Sequence, residues 1–322
     1  MLGGRGPLVR WRRPMLIGRA VMSLGLLVFL AFVVDIQAVM GRFAGLEPGW
    51  VAAALLVSIF QVVLSAWRWR FTANQLGLFL SLPYAVSEYY LATFLNQVLP
   101  GGIVGDVSRA WRHAKWTDTR AALQSVAFER FSGLMVMSVV ALFSTFVLFG
   151  ELSLGAQVCL VGLVLLLPVC VGLSMSRSRG AEKASKFFFD LRRALLVGVA
   201  LPVQLITSGL VVGSYVLMFV MAARAVQLET GGILLATLAA PILMTMLVPI
   251  TIAGWGLREL VAAVLWSAAG LSPADGVAVS VSYGLLVLAS SLPGACVFLF
   301  TMLRIGGLDQ KADPSRSESD GP

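Results

Sequence analysis

The sequence predicts an all-α polytopic membrane protein: about six full spans, two re-entrant or broken helices, and an inverted-topology repeat. Three observations lead there. Hydrophobic residues make up 58% of the chain and charged ones only 12%, with mean hydropathy +0.90, outside the range of soluble domains. Apolar runs recur at the roughly 20 residues that a hydrocarbon core of about 30 Å demands. Two interrupted runs also share one layout: Pro100 and Pro249 each end an apolar stretch, Gly105 and Gly254 follow five residues on, and Arg109 and Arg258 nine residues on. Matched Pro/Gly breaks in two halves of a membrane protein point to a transport site.

Residues 1–15 form a basic N-terminus with Arg5, Arg10, Arg12 and Arg13. The apolar run behind it has the look of a signal peptide but no small-x-small cleavage site, so it is read as an uncleaved first span. The membrane domain covers 16–304. Repeat one, about 16–149, holds spans near 16–34, 50–67 and 126–149 and a broken run near 78–108. Repeat two, about 153–303, holds spans near 153–175, 194–222 and 277–303 and a broken run near 232–269. Residues 305–322 are polar, rich in Asp and Ser, and expected to be a disordered tail.

The cations fix the orientation. With both broken runs as re-entrant hairpins, 21 of the 24 Lys and Arg fall on one side, those near 68–70, 109–130 and 177–193 among them. Only Arg42 and Arg224 fall on the other, while Arg258 lies in the second break. That bias places both termini in the cytoplasm. Hairpins that cross twice would preserve the count, so this choice stays open. The halves then start from opposite sides, which is the inverted repeat. Charge in short loops is topology information, and no nucleic-acid partner is implied.

Chemistry concentrates at the breaks. Asn96 and Gln97 offer amide groups, and Pro100, Gly101, Gly102 and Gly105 let the backbone turn. A helix restarting there would aim its N–H groups at an anion. Asp106 and Arg109, three apart, can pair on one face, with Arg112 a turn further. The alternative is an interfacial turn and a basic amphipathic helix on anionic lipid. In the second break Arg258 and Glu259 are helical neighbours pointing about 100° apart. They are expected to seek separate partners, Arg258 taking a substrate phosphate or carboxylate; the alternative is a structural ion pair. Glu129-Arg130 is either a third charged element facing the first break or an interfacial pair. Glu88 is either a protonatable coupling group or an interface residue beside the belt tyrosines Tyr84, Tyr89 and Tyr90. His113, the single histidine, is expected on a solvated face. Cys159, Cys170 and Cys296 are expected to be buried small apolar residues. No metal or cofactor is expected.

The motifs Phe94-Leu95-Asn96-Gln97-Val98-Leu99-Pro100-Gly101-Gly102-Ile103-Val104-Gly105-Asp106, Glu129-Arg130-Phe131-Ser132-Gly133-Leu134 and Gly254-Trp255-Gly256-Leu257-Arg258-Glu259 resemble the flippase-like membrane domain of lysyl-phosphatidylglycerol synthases, over about 15–305. The resemblance implies movement of a phospholipid or other amphiphile, such as a hopanoid or polyprenyl-linked lipid, between leaflets. After Arg304 only the short tail follows, so aminoacylation is not implied. The expectation is a transporter rather than an enzyme, in a bacterial inner membrane. Its expected partners are membrane lipids with an anionic headgroup, bound by Asn96, Gln97, Gly101, Gly102, Asp106, Arg109, Glu129, Arg130, Arg258 and Glu259. Rival readings are a membrane-embedded transferase and a non-catalytic partner of a lipid-pathway enzyme. The charge topology predicts that reporters fused at either terminus show cytoplasmic activity; a periplasmic signal from one of them would break the inverted repeat.

Overall fold

The computed structural model describes residues 7–99, 102–149, 180–247 and 251–311. The expected span 153–175, Cys159, Cys170, and the turn residues Pro100, Gly101 and Pro249 lie outside them. Eleven α-helices are described: α1 (Pro7–Val33), α2 (Ile36–Ala44), α3 (Pro48–Gln75), α4 (Leu82–Val98), α5 (Val104–Ala114), α6 (Thr119–Phe149), α7 (Gly180–Leu195), α8 (Ala200–Ala225), α9 (Gly232–Met244), α10 (Leu257–Ala268) and α11 (Pro273–Lys311). Helices α3, α6, α8 and α11 are long and apolar enough to cross a membrane, and the bent pair α1–α2 makes a fifth candidate. Three boundaries differ from the sequence expectation. Helix already begins at Pro7, α11 runs on to Lys311, and α3 continues to Gln75, which puts Arg68 inside a helix rather than in a loop.

Helix ends follow local chemistry. The chain turns by 95° between α1 and α2, where the Asp35 carboxylate accepts N–H bonds from Gln37 and Ala38 at 2.9 and 3.1 Å, an N-cap. Leu99, before Pro100, is extended (φ −95°, ψ 138°), as a pre-proline residue prefers, and α4 stops there. Asp118 caps α6 by accepting from Ala121 N–H at 3.0 Å.

The broken runs are hairpins. Glu88 on α4 meets Arg112 on α5, and Asn96 meets Gly105 and Asp106, so the two legs run antiparallel. Helices of 11, 13 and 12 residues in α5, α9 and α10 span about 16–20 Å at 1.5 Å per residue, too short to cross. Each is shorter than the roughly 20 residues that a full crossing takes.

The repeat is visible in detail. α3 ends with Leu78 N–H bonded to Ala73 O; α8 ends, 150 residues later, with Leu228 N–H bonded to Ala223 O, each at 3.0 Å. Gly77 (φ 81°) and Gln227 (φ 55°) occupy the same left-handed position. These equivalent helices pack against each other head to tail. Glu47 N–H at the start of α3 reaches Ala225 O at the end of α8 (2.9 Å), and Thr72 near the end of α3 accepts from Gln204 near the start of α8 (2.9 Å). Equivalent helices that run antiparallel mean that one half is inverted relative to the other. Matching ion pairs follow: Arg42 of α2 to Asp275 in the first turn of α11 (2.8 Å), and Asp190 of α7 to Arg120 in the first turn of α6 (3.4 Å).

Two glycines let the hairpin close on its neighbours. A Cβ at Gly105 would overlap the Ala92 carbonyl of α4, and one at Gly294 on α11 the Tyr90 carbonyl. Gly105→Ala and Gly294→Ala are each expected to destabilise by roughly 1–3 kcal/mol through overpacking. Thermal melts of purified variants check this, with Gly209→Ala, where a Cβ meets nothing, as the neutral control.

Candidate functional site

Helix α5 has two faces. Its inner face carries Gly105, Asp106, Arg109, Ala110 and His113, all buried; its outer face carries Ile103, Val107 and Trp111, all exposed. A short helix with a charged face inward and an apolar face outward delivers polar groups to the core while itself bordering lipid.

At the centre lies Glu129 of α6, fully buried. One oxygen binds the Arg68 guanidinium from α3 and also accepts from Tyr89 Oη at 3.3 Å. The other takes Arg109 Nη2 at 2.7 Å. Asp106 binds Arg109 Nε at 3.0 Å and Arg130 Nη2 at 2.8 Å, and its second oxygen accepts from Asn96 at 3.2 Å. Arg109 is sandwiched between the Trp69 and Tyr89 rings, 4.7 and 4.4 Å from their centroids. Arg68 also donates to Ser208 of α8 at 2.9 Å and lies over Gly133. Three arginines face two carboxylates, so the cluster carries one positive charge in excess. Arg130 is its open member, its side chain 39% exposed.

The second hairpin repeats the plan with different chemistry. Arg258 lies against Trp255 and Tyr283, 5.1 and 5.5 Å from their centroids, and donates to Ser280 at 2.9 Å. Ser280 and Gly284 on α11 stand where Glu129 and Gly133 stand on α6, and a Cβ at Gly284 would overlap the Arg258 guanidinium. The acid here is Glu259, 2.6 Å from Arg258 Nη2, so this cluster is neutral. Glu259 also accepts the Gly256 N–H at 2.7 Å, capping α10. Helix α1 supports the break, with Ser23 Oγ accepting from Ile252 N–H at 2.8 Å.

Several expectations change. Arg258 and Glu259 do pair: at the second and third positions of α10 there is no preceding turn in the way, and the long Arg side chain curls round to a carboxylate folded back on the cap. Glu129 and Arg130 do not pair with each other but with different partners on α5. The helix N-terminus at Gly105 meets a side chain, since Asn96 Oδ1 takes its N–H at 2.7 Å. His113 is buried, 4% exposed, because the inner face of α5 packs on Trp69 and Tyr84. Cys296 is exposed rather than buried, on an α11 otherwise lined with exposed apolar residues such as Leu292 and Leu299. Gln97 has no side-chain hydrogen bond among the described residues, and Gly101 lies outside them. Arg68, Tyr89, Trp69, Ser280 and Tyr283 were not anticipated as site residues; Arg68 was read as a loop cation.

The two clusters are neighbours that stay distinct. Gly102 (φ 64°) at the first tip comes against the Met246 carbonyl at the second, and the Met246 sulfur lies 3.8 Å from Arg258 Nη1. Half-buried Tyr215 of α8 interacts electrostatically with both Arg130 and Tyr283. Among the described residues no direct bond joins Arg109 to Arg258.

Residues 15–294 match the family model described as Lysylphosphatidylglycerol synthase TM region. No curated protein matches the chain.

Removing one partner of a buried ion pair strands the other charge, at a cost of about 3–5 kcal/mol. Glu129→Gln is therefore expected to lower the melting temperature sharply, whereas Arg42→Ala, which breaks a partly exposed pair, is expected to shift stability by about 0–1 kcal/mol. Equal losses in thermal melts would refute the central place of Glu129.

Proposed function

This chain belongs to the lysylphosphatidylglycerol synthase TM region family, and we propose that it moves a lipid with an anionic headgroup between the leaflets of the cell's inner membrane, both termini lying in the cytoplasm. One observation carries the reading: a buried arginine cluster with one uncompensated positive charge, near the tip of a hairpin whose outer face is apolar and exposed. A headgroup phosphate suits the fork of Arg130 and the neighbouring Arg109, in competition with the Asp106 carboxylate. Acyl tails suit the exposed flank of Val98, Leu99, Ile103, Val107 and Trp111. Arg258, in its neutral cluster at the facing tip, completes the path of the headgroup from one half of the repeat to the other.

The test is leaflet transfer of a fluorescent anionic phospholipid in proteoliposomes, read by quencher accessibility. Asp106→Asn and Arg258→Gln are expected to slow transfer at least about ten-fold, the equivalent of about 1.4 kcal/mol, in protein that still purifies as a folded species. A wild-type rate in Arg258→Gln would remove the second hairpin from the path, and no transfer by the wild-type protein would overturn the function.

A further inference from the structure

We propose that Glu88 is a proton-binding site, and that one proton travels with each anionic headgroup. The inference rests on the leaflet transfer proposed above. It starts from a group of titratable side chains that the headgroup cluster does not use, between the legs of the first hairpin. Glu88 on α4 is 2% exposed. One of its oxygens binds Arg112 Nη2 of α5 at 2.7 Å; the other is buried with no partner among the described residues. His113, next along α5, is 4% exposed, and its Nε2 is likewise buried without a partner among them. Tyr84, one turn before Glu88, packs its ring 6.3 Å from that of His113 and interacts electrostatically with Glu88.

Unsatisfied buried polar atoms cost about 1–3 kcal/mol each and call for an explanation. A carboxyl that takes a proton on its free oxygen, beside an imidazole and a phenol able to relay one, supplies it. Access is from the cytoplasmic ends of the legs, where the Arg112 side chain is 29% exposed and Lys115 and Trp116 are exposed. The charged groups facing Glu88 are Arg112 and Arg109 of α5. Behind Tyr89 stand Glu129 and Arg130 of α6. From α3 comes the Trp69 ring against His113, and α11 meets α4 through Gly294 and Phe298; none of these three titrates.

The step is a proton transfer and nothing else. A proton from cytoplasmic water adds to Glu88, its charge is neutralised, and Arg112 loses its counterion. The hairpin then carries one more positive charge, which favours a monoanionic headgroup at the adjacent Arg109 and Arg130. By linkage the bound headgroup favours the proton equally. When the headgroup leaves to the far leaflet, Glu88 gives up its proton to water on that side and pairs again with Arg112.

The full-length protein is tested twice. Detergent-purified protein in weak buffer with a pH indicator dye receives short-chain phosphatidylglycerol. Wild type is expected to take up about one proton per bound lipid; Glu88→Gln is expected to take up none, and Glu88→Asp to regain uptake. Arg112→Lys keeps both a counterion and the carboxyl but loses the guanidinium geometry, so it is expected to retain uptake, which a merely structural role for the Arg112 fork would not allow. In proteoliposomes an imposed pH gradient should then accelerate wild-type transfer several-fold and leave Glu88→Gln unaccelerated. Equal uptake by wild type and Glu88→Gln, or wild-type transfer indifferent to the gradient, overturns the inference and leaves the transfer function standing. Uptake on lipid binding without any transfer leaves the proton site standing and overturns the transfer function.

Discussion

The Glu129 carboxylate is the constraint on which the first half of the molecule depends. It draws together Arg68 of α3 and Arg109 of α5 from its place on α6, with Tyr89 of α4 on the same oxygen. Four helices thus share two oxygen atoms in a region where water cannot stand in for a missing partner. Two cations on one carboxylate would repel each other without it, and a lone carboxylate there would be equally costly. Folding of the hairpin and assembly of the charge cluster are therefore one event. Short α5 has too few residues to be held by apolar burial alone, and its outer face, Ile103, Val107 and Trp111, is exposed.

The second half solves the same problem with a hydroxyl. Where α6 presents Glu129 and Gly133, α11 presents Ser280 and Gly284, and the acid moves to Glu259 on the hairpin itself. The backbone plan is preserved while the charge is not: one hairpin is neutral and the other has an arginine in excess. Symmetry in the fold provides two hairpins that meet tip to tip, and asymmetry in charge leaves the excess arginine in the first of them.

The periodic and charge signals in the sequence were sufficient for the hairpins, the inverted halves, and the equivalence of Arg109 and Arg258, since these rest on spacing and loop charge alone. They were insufficient where a long side chain ignores the face its Cβ points to. Arg258 and Glu259 pair despite diverging Cβ directions, because the start of α10 leaves room for both to fold back. Arg68 was hidden for a different reason. Membrane-edge arginines and buried ones look alike in a hydropathy profile, and only the cap at Leu76–Leu78 shows that α3 continues two turns past it. Counting Arg68, Arg109 and Arg130 as loop charges leaves the expected orientation unchanged, because the bias toward one side survives without them.

The distribution of strong and weak pairs also says where the molecule can move. Buried pairs at Glu129 and Glu259 cost several kcal/mol to break, whereas the partly exposed pairs Arg42–Asp275 and Arg120–Asp190 are worth at most about 1 kcal/mol. The weak pairs occupy equivalent places in the two inverted halves, each tying an amphipathic helix to the first turn of a long span. Because the halves are inverted, these places lie at opposite faces. Opening one while the other holds requires no rupture inside either cluster, so access from the two sides can alternate about a site that keeps its shape. A fold built this way puts its cheap contacts at the rims and its expensive ones at the centre, which is the arrangement that the proposed headgroup site, served from both faces, would require.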